Sequence, residues 1–393
     1  MRWIERINLA LIALFYRNCM SEIVISRESA GSTRVGWVDT AKGICIIMVV
    51  MLHSTLGVEI EAGAEGWMGY VVSFARPFRM PDFFLISGLF LGLVIDRPWL
   101  RYIDRKVVHF AYFYVLWLTI QFAFKAPGMA MEQGALHPLQ AYLTAFIQPF
   151  GTLWFIYLLP VFFIVTRLVK RVPVWLVLAV SAALEILSVD TGWVIVDEFA
   201  GRFVWFYIGY AFARNIFDIA AWGGRNPGKV VALIALWALA QAWLVFTPAP
   251  ATLAPWLQPD LGTTGARGGI AELPFVSFVL ALAGITVVIW IAALLTGRKG
   301  FGWLTWLGEH SIVVYLAFFL PMAVMRTLLL KTGIVPDIGT MSVLVTAAGV
   351  IGPVVLYAIV KWSGYGLFLF ERPRWAWIDK PAPRGKDRLA AAE

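Results

Sequence analysis

Ten apolar runs divide this chain, at residues 37–57, 70–95, 107–125, 150–168, 173–189, 198–214, 229–247, 271–296, 303–328 and 341–362, and they limit its fold more than anything else in it. Each is roughly the length needed to cross a hydrocarbon layer of about 30 Å. In lipid every backbone amide and carbonyl must find its partner inside the protein, and runs of this length leave only the helix. The predicted fold class is therefore all-α integral membrane, with about ten transmembrane helices. Composition agrees: 60% of the residues are apolar and 14% charged, against about 25% charged in soluble domains. Nineteen tryptophans fit the aromatic belts of membrane interfaces.

The loops carry charge in alternation. Those after even-numbered runs hold Arg97, Arg101, Arg105 and Lys106, then Arg167, Lys170 and Arg171, then Arg214, Arg225 and Lys229, then Arg298 and Lys299. The opposite set holds Glu59, Glu61, Glu65, Asp190, Asp197, Glu198 and Asp260, with few bases. Basic loops stay in the cytoplasm, so both termini are expected there. The net charge of +8 sits in these short clusters, which argues against nucleic-acid binding. No repeat of solenoid period occurs. Residues 1–33 form a tail or an interfacial helix, with translation from Met20 as the alternative. A single membrane domain is expected over 34–365, and a basic cytoplasmic tail over 366–393. Cys19 and Cys45 make neither a disulfide framework nor a zinc spacing and read as small apolar fillers; no metal site is expected.

Chemistry concentrates in the first two runs. Eleven residues separate Lys42 from His53, which on a helix leaves them about 20° apart around the axis and about 16 Å apart along it. One face thus carries a basic residue near the cytoplasmic edge and a histidine deep in the membrane. Intramembrane ionisable groups usually mark a cavity or pathway, and imidazole is the commonest general base near neutral pH. The second run, "VVSFARPFRMPDFFLISGLFLGLVI", packs Arg76, Arg79 and Asp82 beside Pro77 and Pro81. Arginines at this depth need anions or water, and the prolines are expected to break or kink the helix. An interfacial snorkel, with Asp82 neutralising one arginine, is the blander alternative. Glu185, inside the fifth run, either neutralises a cavity arginine or stays protonated. His109 is expected at a solvated helix end.

These stretches resemble the acyltransferase-3 family of bacterial membrane acyltransferases over roughly residues 34–365. "WVDTAKGICIIMVVMLH" matches its basic residue, ten positions, then histidine (Lys42, His53), with Asp39 and Gly43 flanking. Arg76 and Arg79 match its Arg-x-x-Arg pattern; Phe83, Phe84, Ile86, Ser87 and Gly88 its Phe-rich signature; Trp154 and Phe155 its Leu-Trp-Phe motif. "FVWFYIGYAF" and "LTWLGEHSIVVYL" resemble its later segments. One departure stands out: a histidine often follows the Tyr-Leu pair in the family, and here Tyr315 and Leu316 are followed by Ala317 and Phe318. Glu309 and His310, just upstream, either compensate or cap the helix.

The resemblance implies a bacterial, multi-pass protein of the cytoplasmic (inner) membrane. It would transfer an acyl group, usually acetyl, from cytoplasmic acyl-CoA to a hydroxyl of an exported or cell-surface carbohydrate, free or lipid-linked. Acyl-CoA is then a substrate, and no bound cofactor is expected. On this reading Lys42, Arg76 and Arg79 bind the donor's phosphates, His53 is the base, and Ser87 or an arginine stabilises the oxyanion. Asp39, Asp82 and Trp154 are supporting residues. A covalent acyl-histidine is the alternative chemistry. The rival functions are a transporter or flippase, which would also use broken helices and buried charge, and a non-catalytic partner in polysaccharide export.

Overall fold

The computed structural model describes residues 35–257 and 269–379. The expected N-terminal tail over 1–33, Cys19 and the stretch after residue 379 lie outside the described residues. The described chain is helical throughout its regular structure: α1 (Gly36–Ala62), α2 (Met68–Gly88), α3 (Trp99–Gln133, with a π-helical stretch at Asp104–Val108), α4 (His137–Thr144), α5 (Trp154–Leu168), α6 (Val174–Ile186), α7 (Val194–Ala211), α8 (Ala213–Arg225), α9 (Pro227–Phe246), α10 (Pro274–Leu295), α11 (Gly302–Glu309), α12 (Ser311–Ala317), α13 (Phe319–Thr332) and α14 (Ile338–Ser363).

All ten expected runs contain helix, yet they do not all meet the requirements of a lipid-facing crossing. Six helical segments are long and apolar enough: α1, α3, Gly151–Arg171, α9, α10 and α14. A seventh results if α12 and α13, bent by 53° at Phe318, are one span. The others fall short for visible reasons. α2 carries Arg76, Arg79 and Asp82, α7 carries Asp197, Glu198 and Arg202, and α6 has only 13 residues. The run at 303–328 is three helices, not one. Pro321 explains the bend, since it has no N–H to offer the carbonyl of Ala317 and crowds the preceding turn. By contrast, of the break or kink expected at Pro77 and Pro81, the break is absent. α2 runs unbroken through both, although each withdraws a donor from a carbonyl four residues back, on Ser73 and Pro77.

At the centre lie α1 and α2, packed on each other; α1 also meets α10, α11 and α14, and α2 also meets α7 and α10. Two crossings bring backbones together at glycines. Where α2 meets α7, a Cβ on Gly209 would lie 2.9 Å from the carbonyl carbon of Leu85, and one on Gly88 would lie 3.1 Å from Tyr210 N. Where α1 meets α11, Gly43 abuts Leu304 and Gly308 abuts Asp39. Small residues at such points are how membrane helices gain close van der Waals contact without a hydrophobic drive. An aromatic core completes the packing: Phe83 stacks on Phe155 at 4.5 Å, Phe84 lies 4.8 Å from Phe155, and Phe162 lies 5.5 Å from Phe206.

Exposed tryptophans gather at helix ends, among them Trp67, Trp99, Trp175, Trp193, Trp243, Trp303 and Trp362, as interfacial belts require. Gly63 closes α1 with φ +66°, a conformation that suits glycine. After α14 the chain folds back, and Arg372 enters the bundle to form a buried ion pair with Asp104, 2.8 Å between Nη2 and Oδ2. The backbone N–H of Ile378 donates to the other carboxylate oxygen at 2.9 Å. Residues read from the sequence as a basic tail are, up to Asp379, docked on α3. His109 is likewise no helix end. It lies within continuous α3, half-buried, with Phe113 5.1 Å away.

Candidate active site

A cavity of about 220 Å³ opens where α1, α2, α5, α6, α7, α9 and α10 converge. Its residues come from one end of the bundle. His53 lies toward the Ala62 end of α1; Ser73, Arg76 and Arg79 lie in the half of α2 that follows Ala62 across a short loop. Trp154 opens α5, Glu185 closes α6, Glu198 and Arg202 lie in the first turns of α7, and Glu272 immediately precedes α10. Four of the charged residues that keep α2 and α7 from being ordinary lipid-facing spans, Arg76, Arg79, Glu198 and Arg202, therefore line a common space, where charge inside a membrane is tolerated.

Two of its arginines have carboxylate partners. Arg76 Nη1 donates to Glu272 Oε1 at 2.7 Å, and Arg202 Nε to Glu198 Oε2 at 3.1 Å, an i,i+4 pair on α7. Arg79 differs. It is 3% exposed, and its Nε and Nη1 have no hydrogen-bond partner. Glu185, 7% exposed, likewise has its Oε2 unpartnered. A buried polar atom left without a partner is costly, by about 1–3 kcal/mol, so such atoms facing a cavity are groups in want of a ligand or water.

His53 is held by stacking. Its ring lies 5.6 Å from that of Phe318 with 29° between the planes, and Phe318, fully buried, sits at the bend between α12 and α13. The departure from the family pattern thus falls directly against the candidate base. Tyr315 donates its hydroxyl to the carbonyl of Thr152, fixing α12 to the approach of α5. Phe155 packs on Phe83, Phe84 and Tyr315, and so the next residue back, Trp154, is presented to the cavity.

The structure brings His53, Arg76, Arg79 and Trp154 together and leaves the other expected site residues elsewhere. Lys42 pairs with buried Asp39 at 3.1 Å, beside the α1–α11 crossing and away from the cavity. Asp82 is fully buried and turned to Cys45, whose Sγ lies 2.9 Å from Oδ2. Asp82 therefore does not neutralise an arginine, and Cys45 is more than an apolar filler. The Ser87 hydroxyl is spent on the Phe83 carbonyl at 2.8 Å, outside the cavity. His310 Nδ1 lies 2.8 Å from the Trp306 carbonyl and its ring stacks on Trp306 at 4.3 Å; neither it nor Glu309 lines the cavity, so neither stands in for the missing histidine there. Glu198, Arg202, Glu272, Ser73 and Ser277 line the cavity without having been singled out as site residues. Their only signal was charge or hydroxyl near the ends of apolar runs. Among the described residues no cluster of His, Cys, Asp and Glu could hold a metal ion.

The sequence model of the acyltransferase-3 family, described as an acyltransferase domain, matches residues 35–362. A curated relative, "Inner membrane protein YcfT" of Escherichia coli (strain K12), is 27% identical over 205 residues; the match covers 46% of this chain and 57% of that protein. The chain thus matches only a little over half the length of that relative. No solved structure matches.

Proposed function

Because this chain belongs to the acyltransferase-3 family, we propose that it is a membrane O-acyltransferase moving an acyl group, acetyl first among candidates, from acyl-CoA to a glycan hydroxyl. The observation that carries the reading is the convergence of His53, Arg79 and Trp154 on one cavity inside the bundle. His53 accepts the proton of the acceptor hydroxyl, whose oxygen attacks the thioester carbonyl. The C–S bond breaks, the ester forms, and the proton passes from the imidazolium to the departing thiolate. Arg79, buried with Nε and Nη1 free, donates to the oxyanion that develops between these steps; Arg76 is engaged by Glu272 and shapes the wall.

We place the Ala62 end of α1 at the outer face of the bacterial inner membrane and both termini in the cytoplasm. Lys42 then lies about 16 Å from His53 along α1, at the inner edge, where its ammonium attracts the phosphates of the donor while the pantetheine arm reaches inward. The basic and acidic loop alternation supports this orientation. Against a carrier stands the single bent span among the described residues, since alternating-access folds pair such segments between their halves. The test is acetyl-CoA turnover on membranes carrying wild type or His53→Ala, with host glycan supplied. Transfer lost at equal protein level is the expected result. Transfer unaffected by the substitution removes His53 as the base.

A further inference from the structure

The cavity's charges balance. Three guanidinium groups, of Arg76, Arg79 and Arg202, face three carboxyl groups, of Glu185, Glu198 and Glu272, a formal sum of zero with His53 neutral. Two of each cancel at contact distance, Arg76 with Glu272 and Arg202 with Glu198. What remains is one unpartnered donor set on Arg79 and one unpartnered acceptor on Glu185. A site selective for an anion carries excess positive charge; this one does not. A ligand of net charge would meet as many like charges as opposite ones. The group that satisfies a lone carboxylate oxygen and a lone guanidinium alike is the alcohol, which donates and accepts through one oxygen.

Size and surface point the same way. About 220 Å³ lies below the roughly 300 Å³ at which pockets for drug-sized ligands begin, a scale that suits one sugar ring. Trp154 supplies an indole surface at the cavity wall, an apolar body for the C–H face of such a ring. Glu185, buried and with Oε2 turned to no protein partner, lies on α6, which packs on α7 and its Glu198–Arg202 pair.

Resting on the reading of this cavity as the transfer site, we propose that Trp154, Glu185 and Arg202 form the acceptor subsite and that it takes one uncharged sugar ring. Trp154 stacks on the ring, Glu185 accepts from one hydroxyl, and Arg202, whose bond to Glu198 uses Nε and so neutralises its charge without using its terminal nitrogens, donates to another. The subsite discriminates against uronic and other acidic sugars, whose carboxylate would face Glu185.

The experiment is saturation-transfer NMR on the full-length protein in lipid nanodiscs. The probes are the methyl glycosides of glucose, galactose, mannose and N-acetylglucosamine, with methyl glucuronide as the charged counterpart. At least one neutral glycoside should receive saturation, at least tenfold more strongly than the glucuronide. Glu185→Gln and Arg202→Lys, checked by thermal melting, should each weaken that signal about tenfold. Silence from all four neutral glycosides overturns the proposal, as does an equal or stronger signal from the glucuronide, and the wild-type comparison needs no variant to fold. A folded Glu185→Gln or Arg202→Lys with unchanged signal overturns it too. Acetyl-CoA consumption by the same preparation, with the binding glycoside as acceptor, is read separately. Sugar binding without turnover removes the transferase reading and leaves the subsite standing.

Discussion

Gly209→Ala adds one methyl group at the α2–α7 crossing, and its effect follows from three distances. The new Cβ would stand 2.9 Å from the carbonyl carbon of Leu85 and 3.1 Å from its Cα, with the carbonyl oxygen closer still, against 3.4 Å for ordinary contact. These are backbone atoms of α2, so no rotamer can relieve the overlap. The two helices must part by at least about 0.5 Å, the shortfall at the carbonyl carbon alone. Overpacking of this kind costs about 1–3 kcal/mol. The same shift carries Arg76 and Arg79 away from α7, whose Glu198 and Arg202 form the facing wall. Misplacement by about 1 Å can cost on the order of 100-fold in rate, so a tenfold loss of acyl transfer is the expected scale. The control is Gly201→Ala on the same helix, where a Cβ meets nothing within 4 Å; it should be neutral or slightly stabilising. Thermal melting in detergent and acetyl transfer on membranes would be measured for both. If Gly209→Ala melts and turns over like Gly201→Ala, the crossing is not as tight as described and the argument fails.

Three further outcomes are expected. Cys45→Val keeps the side chain's bulk but removes the donor to Asp82, leaving a buried carboxyl without it; melting should report a loss of about 1–3 kcal/mol, and Cys45→Ser, which retains a donor, should fall between. Asp337 caps α14 by accepting from Thr340 N at 2.6 Å, and hydrogen bonds from Thr340, then from Trp67, hold its carboxyl below the ordinary 3.8. A depressed value stabilises the folded protein above pH 3.8, a contribution lost as the pH falls through the lower folded value; an acid melt should show this, and Asp337→Asn should flatten it. Arg372→Ala leaves Asp104 with the Ile378 amide and, at 3.5 Å, Arg105, and should cost about 1–3 kcal/mol in melting experiments, the scale for a buried group that loses one of its partners.

What could be seen from the sequence divides along a physical line. Apolar length made helices legible, and the eleven-residue step from Lys42 to His53 needed only helical geometry. Phe83, Phe84, Gly88, Phe155, Gly209 and Gly308 were legible as a pattern but not as packing, since each meets its partner on another helix. Glu272 escaped notice because its partner, Arg76, is 196 residues away; a carboxylate beside an apolar run looks like any loop residue until the helices are assembled. Pro321 was hidden by the apolar residues around it, though its missing N–H bends the span at Phe318. Conversely, Pro77 and Pro81 left a break or a kink open, and α2 runs through both without a break.

The ion pair between Asp104 and Arg372 has a consequence in time. The two residues are 268 positions apart, and at about 5–20 residues per second of synthesis the carboxylate waits roughly 13–54 s for its guanidinium. Throughout that interval α3 has been made and Asp104 has only its neighbour Arg105, 3.5 Å away, as a counter-charge. Only when Arg372 and Ile378 emerge and the chain folds back is the carboxylate closed in. Until then the π-helical turn of α3 lacks both the Arg372 guanidinium and the Ile378 amide that hold the carboxylate, so the strongest contacts of this turn are among those formed last in synthesis of the described chain.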